Sequence, residues 1–124
     1  MSDIGMIEYH TLEHGTKLMY NNENLTSVEC PFPNLKNGTQ MFCGCSSLID
    51  VNISDLSKLE NGNMMFYIPN FADFKCDLPS LKYGRHMFMN YNKAEPTNWA
   101  NTAKLRSFTG DLSNLVDGEN MFCQ

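Results

Sequence analysis

Apolar side chains recur along this chain in a long phrase written four times, and neither a helical period nor a single alternating run accounts for them. The copies open on Leu25, Val28 and Cys30; on Leu48, Val51 and Ile53; on Phe71, Phe74 and Cys76; and on Leu105, Phe108 and Gly110. Each continues through an apolar residue (Phe32, Leu56, Leu78, Leu112), then a leucine three positions on (Leu35, Leu59, Leu81, Leu115), then a glycine three further (Gly38, Gly62, Gly84, Gly118). Four residues after each glycine stands the phenylalanine of a Met-Phe pair, at Phe42, Phe66, Phe88 and Phe122. The copies begin 23, 23 and 34 residues apart. A fixed glycine-to-phenylalanine offset in every copy predicts a repeat array, in which each unit buries its apolar face only against its neighbours.

Within each copy the opening residues predict a short strand, near 25–30, 48–53, 71–76 and 105–110. Side chains alternate across a strand, so Val28 and Val51 are expected inside, with Ser27, Glu29, Asp50 and Asn52 outside. Parallel strands from successive copies would form one continuous narrow ribbon. Asn37, Asn61 and Asp117 directly precede a glycine, and Asn-Gly or Asp-Gly predicts a turn with positive φ at the glycine. Asp55, Asp77 and Asp111 are expected to accept hydrogen bonds from the amides of the following turn, which makes them poor catalytic candidates. Upstream, Gly15 and Met19-Tyr20 echo the glycine and Met-Phe steps, with Tyr20 aligned to the phenylalanine.

The strand phrase resembles the L-x-x-L-x-L signature of leucine-rich repeats. The segment from Leu35 through Gly38, Met41-Phe42 and Cys45 to Leu48 is similar to the BspA-like bacterial subclass, where Gly-x-x-Ala-Phe-x-x-Cys-x-x-Leu recurs. Methionine stands where that subclass has alanine, and only the first copy keeps the cysteine. The resemblance implies a mainly β repeat solenoid: a parallel β-ribbon with short turns or helical turns on the return side. Residues 1–24 would then be a degenerate N-terminal capping repeat, and residues 25–124 the array. Its units are 25–47, 48–70, 71–104 with an insertion at about 89–104, and an incomplete 105–124.

A chain of 124 residues with one composition throughout is expected to be a single domain. Nine basic against fourteen acidic residues leave a net charge of −5, which argues against nucleic acid as a direct ligand. No apolar run approaches the roughly 18 residues of a membrane span, and the opening Met-Ser-Asp-Ile-Gly lacks the basic and apolar regions of a signal peptide. The expected location is therefore cytoplasmic; removal of a leader would place the chain at the cell surface, as the resemblance to BspA-like proteins implies. An odd count of five cysteines, two of them at inward strand positions, suits free buried thiols better than a disulfide framework. Cys43-Gly-Cys45 has no second ligand pair at zinc spacing, so neither metal nor cofactor is expected.

The sequence also lacks a set of nucleophile, base and orienting group, so the chain is not expected to be an enzyme. His86 sits where other copies carry Gln40, Met64 and Asn120, and reads as exposed filler. Two surfaces are candidates for a protein partner. One is the insertion, which must leave the array as a loop and carries Tyr91 and the sole tryptophan, Trp99. The same Trp99 could instead fold back to plug the stretched junction between units. The other is the outward strand face of Glu29, Asp50, Asn52, Asp73 and Lys75, mostly acidic and suited to a basic partner; leucine-rich repeats use this face, the resemblance implies. The expected function is steric binding of another protein, one form of which is a mobile-element-encoded inhibitor that masks a basic nucleic-acid-binding surface. The alternative is a fragment of an exported bacterial adhesion protein, and an enzyme stands third. The apolar edge of Phe108, Leu115 and Phe122 is expected to support self-association as a homodimer.

Overall fold

Four strands form, one in each copy: β1 (Ser27–Glu29), β2 (Asp50–Asn52), β3 (Asp73–Lys75) and β4 (Ser107–Thr109). They belong to a computed structural model of the chain that describes residues 9–69, 73–89, 105 and 107–122. Each strand occupies the centre of its predicted span. The flanks are drawn into corners instead: the amides of Leu25 and Leu48 donate to the carbonyls of Asn22 and Cys45 in tight turns, at 3.4 and 3.1 Å. Beyond Cys30, Pro31 has no amide to continue a ladder.

β1 pairs with β2 in parallel, with Ser27 opposite Asp50, Val28 opposite Val51 and Glu29 opposite Asn52. β3 pairs with β4 in the same register, Asp73 opposite Ser107, Phe74 opposite Phe108 and Lys75 opposite Thr109. The molecule is thus mainly β, with short parallel strand pairs and almost no helix among the described residues. The expectation of one continuous ribbon is not met, because β2 and β3 belong to separate two-stranded sheets. A difference in spacing accounts for the break: Val51 to Leu56 is one residue longer than Val28 to Phe32, Phe74 to Leu78 or Phe108 to Leu112.

The longest unbroken pairing lies on the return side, where parallel contacts run His14 to Asn37, Asn37 to Asn61, Asn61 to Tyr83 and Tyr83 to Asp117. The amides of Gly15, Gly38, Gly62 and Gly84 donate there to the carbonyls of Asn37, Asn61, Tyr83 and Asp117. A second rung follows, from the amides of Lys17, Gln40, Met64 and His86 to the carbonyls of Thr39, Asn63, Arg85 and Glu119. The return side is built of turns rather than helical turns.

These turns correct the reading of the repeated glycines. Gly38, Gly62, Gly84 and Gly118 do not have positive φ; the left-handed residue comes two positions later, at Gln40, Met64, His86 and Asn120, with φ of 55–56°. His86 is therefore not exposed filler but a half-buried residue at a constrained backbone position. The glycines are needed for room. A Cβ at Gly38 would lie 2.8 Å from the Met65 sulfur, and one at Gly62 would lie 2.9 Å from both Sδ and Cε of Met87. The methionine of one copy is seated on the glycine of the copy before it.

The residue preceding the glycine acts through its side chain. Asn37, Asn61 and Asp117 each accept from the amide two positions on, at 3.0, 3.0 and 3.1 Å. Tyr83 offers no such acceptor, and Asn63 of the previous copy takes the Arg85 amide instead, at 2.8 Å. Asp55 and Asp111 accept from Ser57 and Ser113 as expected, at 2.9 and 2.8 Å. Hydrogen bonds from the Ser57 hydroxyl and amide hold the Asp55 carboxyl below the usual carboxylate range. Asp77 departs from the expectation because Pro79, two positions on, has no amide; its carboxylate accepts from Asp111 at 3.1 Å.

Upstream, Met19 rather than Tyr20 takes the phenylalanine place. Its amide donates to the Met41 carbonyl at 2.8 Å, as that of Phe42 does to Met65 at 3.0 Å. Residues 1–8 of the expected cap lie outside the described residues.

The core is a double column of rings. Phe42, Phe66, Phe88 and Phe122 stack nearly parallel, with centroids 5.5, 5.7 and 5.5 Å apart. Phe74 and Phe108, from β3 and β4, form a second stack at 5.6 Å and interleave with the first through tilted or edge contacts of 4.8 to 5.5 Å. Burying each such ring contributes on the order of 2–3 kcal/mol, and favourable ring pairs add about 1 kcal/mol.

Candidate functional site

The parallel register sets the geometry of the strand face. With Val28, Val51, Phe74 and Phe108 turned inward, the residues on either side of each must turn out. Ser27 and Asp50 stand side by side in one column on the first sheet, with Glu29 and Asn52 in the next. Asp73 and Ser107, then Lys75 and Thr109, repeat the arrangement on the second. Glu29, Asp50, Asn52, Asp73 and Lys75 are all exposed, so the structure places the five expected strand-face residues on one type of surface.

Two features were not foreseen. Asp73 already has an internal use, since the Ser107 hydroxyl donates to its carboxylate at 2.6 Å. The second column also borders an open hollow of about 450 Å³, walled by Glu29, Asn52 and Lys75, with Cys30 and Ile53 buried beside it. Glu29 and Lys75 give the hollow one charge of each sign. The break between β2 and β3 puts Lys75 on a different sheet from Glu29 and Asn52. A hint of this was present in the sequence, in the extra residue after Val51.

The other expected contact residues, Tyr91 and Trp99, lie outside the described residues. Of the apolar edge, Phe108 and Leu115 are half-buried and Phe122 remains 41% exposed. Phe122 stacks on Phe88 and meets Phe108 edge-on, with centroids 5.3 Å apart. Nearby Val116 is 73% exposed. Its neighbours in the same backbone ladder are charged, Glu13, Lys36, Glu60 and Lys82.

The four described thiols are held in the protonated state. Burial raises the pKa of Cys30, Cys43 and Cys76, and that of Cys45 is pushed up to about 11. Cys45 is fully buried and donates to the Met19 carbonyl at 3.0 Å. Such thiols are poor nucleophiles at neutral pH. Among the described residues no group of three His, Cys, Asp or Glu side chains is arranged to hold a metal ion, and no helix is long and apolar enough to cross a membrane. Comparison with protein-family models, with characterised proteins and with solved structures gives no match.

Proposed function

We propose that the chain is a leucine-rich-repeat-type solenoid that works without catalysis, by binding another protein across its strand face. The observation that supports this reading is the shared register of the strand pairs, which sets Glu29 and Asp50 out from the hydrogen-bonded backbone of one sheet, with Glu29 beside the hollow. Rigid backbone lowers the ordering cost of binding. Three carboxylates, Glu29, Asp50 and Asp73, against one Lys75 favour a partner with a basic surface, and a basic nucleic-acid-binding surface is one such target.

Charge reversal tests this. Glu29→Lys and Asp50→Lys lie at exposed positions and are expected to leave the fold unchanged by circular dichroism. Both should abolish capture of the partner that the parent chain retains from its native host. Capture of the same partner by the doubly reversed chain would remove the strand face from consideration. The apolar edge of Phe108, Leu115 and Phe122 is offered, in the same reading, to a second copy of the chain. A monomer by light scattering at micromolar concentration would withdraw that part.

A further inference from the structure

Among the described residues, the break between β2 and β3 keeps its backbone ladder on the return side only. On the return side the copies either side of it are joined as firmly as any others: Gly62, Met64 and Phe66 donate to Tyr83, Arg85 and Met87 at 2.8, 2.9 and 3.0 Å. On the strand side the ladder is missing. The corner after each strand shows the same contrast. Phe32 donates to the Asp55 carbonyl and Leu78 to the Asp111 carbonyl, both at 2.9 Å. By that pattern the Leu56 amide should donate to the Asp77 carbonyl. No backbone carbonyl among the described residues accepts from Leu56, and the nearby Cys76 thiol donates within its own copy, to the Asp77 carbonyl at 3.5 Å.

We propose that this junction is a hinge built into the fold, pivoting on the return-side ladder and opening on the strand side. Its origin is the extra residue between Val51 and Leu56, which displaces the β2 corner relative to β3 and leaves the Leu56 amide without a carbonyl across the junction. The Cys76 thiol bonds its own neighbour and so supplies no substitute for the direct amide-to-carbonyl bond that closes the other corners. Bending at the hinge moves Lys75 away from Glu29 and Asn52, and the hollow between them changes width. The inference concerns the free chain and does not depend on the proposed partner.

Amide-resolved hydrogen exchange on the intact protein tests it, because local opening is read residue by residue. Leu56 is expected to exchange at least about tenfold faster than Phe32 and Leu78, while Gly62, Met64 and Phe66 remain as protected as Gly38, Gln40 and Phe42. Deletion of Ser54, the exposed residue that lengthens the corner, should bring Leu56 to the protection of its counterparts. Equal protection of Leu56, Phe32 and Leu78 in the parent chain overturns the proposal without need of any variant. Fast exchange on both sides of the junction also overturns it, since the copies would then separate rather than pivot.

Discussion

Phe66 is the ring on which the core depends most. It stacks on Phe42 at 5.5 Å and on Phe88 at 5.7 Å, and it takes a tilted contact from Phe74 at 5.4 Å. Only 1% of it is exposed. Phe122 has the same place in its copy and stacks on Phe88, but is 41% exposed. Truncating a buried phenylalanine to alanine costs about 3–5 kcal/mol, transfer and cavity together. Phe66→Ala should fall at the upper end, because three ring neighbours held on both sides cannot collapse into the space. Phe122→Ala should cost about half as much, since part of that ring is already in water and no cavity is enclosed. Phe66→Leu separates volume from stacking and should cost about 1–2 kcal/mol. Urea unfolding followed by circular dichroism, with the slope compared across variants, gives the three values. Equal costs for Phe66→Ala and Phe122→Ala would refute the claim that two-sided stacking organises the core.

Two further outcomes follow from the turns and the buried thiol. Met64 has φ of 56°, a conformation that costs a residue with a side chain about 1 kcal/mol, so Met64→Gly is expected to raise the urea midpoint; a lowered midpoint would mean that its side-chain packing outweighs the strain. Cys45 has its folded pKa raised to about 11, above that of an unfolded thiol, so its contribution is complete below about pH 8.5 and is lost as pH rises toward 11. The alkaline loss of stability should accordingly be smaller in Cys45→Ala than in the parent chain.

The alternation around Val28, Val51, Phe74 and Phe108 made the outward strand columns legible in the sequence, because side-chain direction follows from strand geometry alone. The reason for the glycines was not legible there. Asn-Gly suggests positive φ at the glycine, and only the position of Met65 against Gly38 shows that the constraint is space from a neighbouring copy. The hollow was hidden for a similar cause. Its walls come from residues in three copies, and its far wall, Lys75, is set apart by a break that depends on one residue after Val51. The alignment of Tyr20 with phenylalanine rests on its ring alone, whereas the amide of Met19 decides the match. Asp77 could have been read correctly, since Pro79 is visible in the sequence and cannot donate.

The seating of methionine on glycine has a consequence for how such a chain can grow. Each copy carries the knob that fits the copy before it and the socket that receives the copy after it: Met41 lies on Gly15, Met65 on Gly38 and Met87 on Gly62. On this face the same joint recurs at each of these three junctions. Duplication or loss of one whole unit would restore a matching knob and socket at the new junction, without any compensating change elsewhere. Length is then a variable that inheritance can alter in steps of one unit, while a change of a single residue within a unit, as after Val51, coincides with a break in the strand ladder instead.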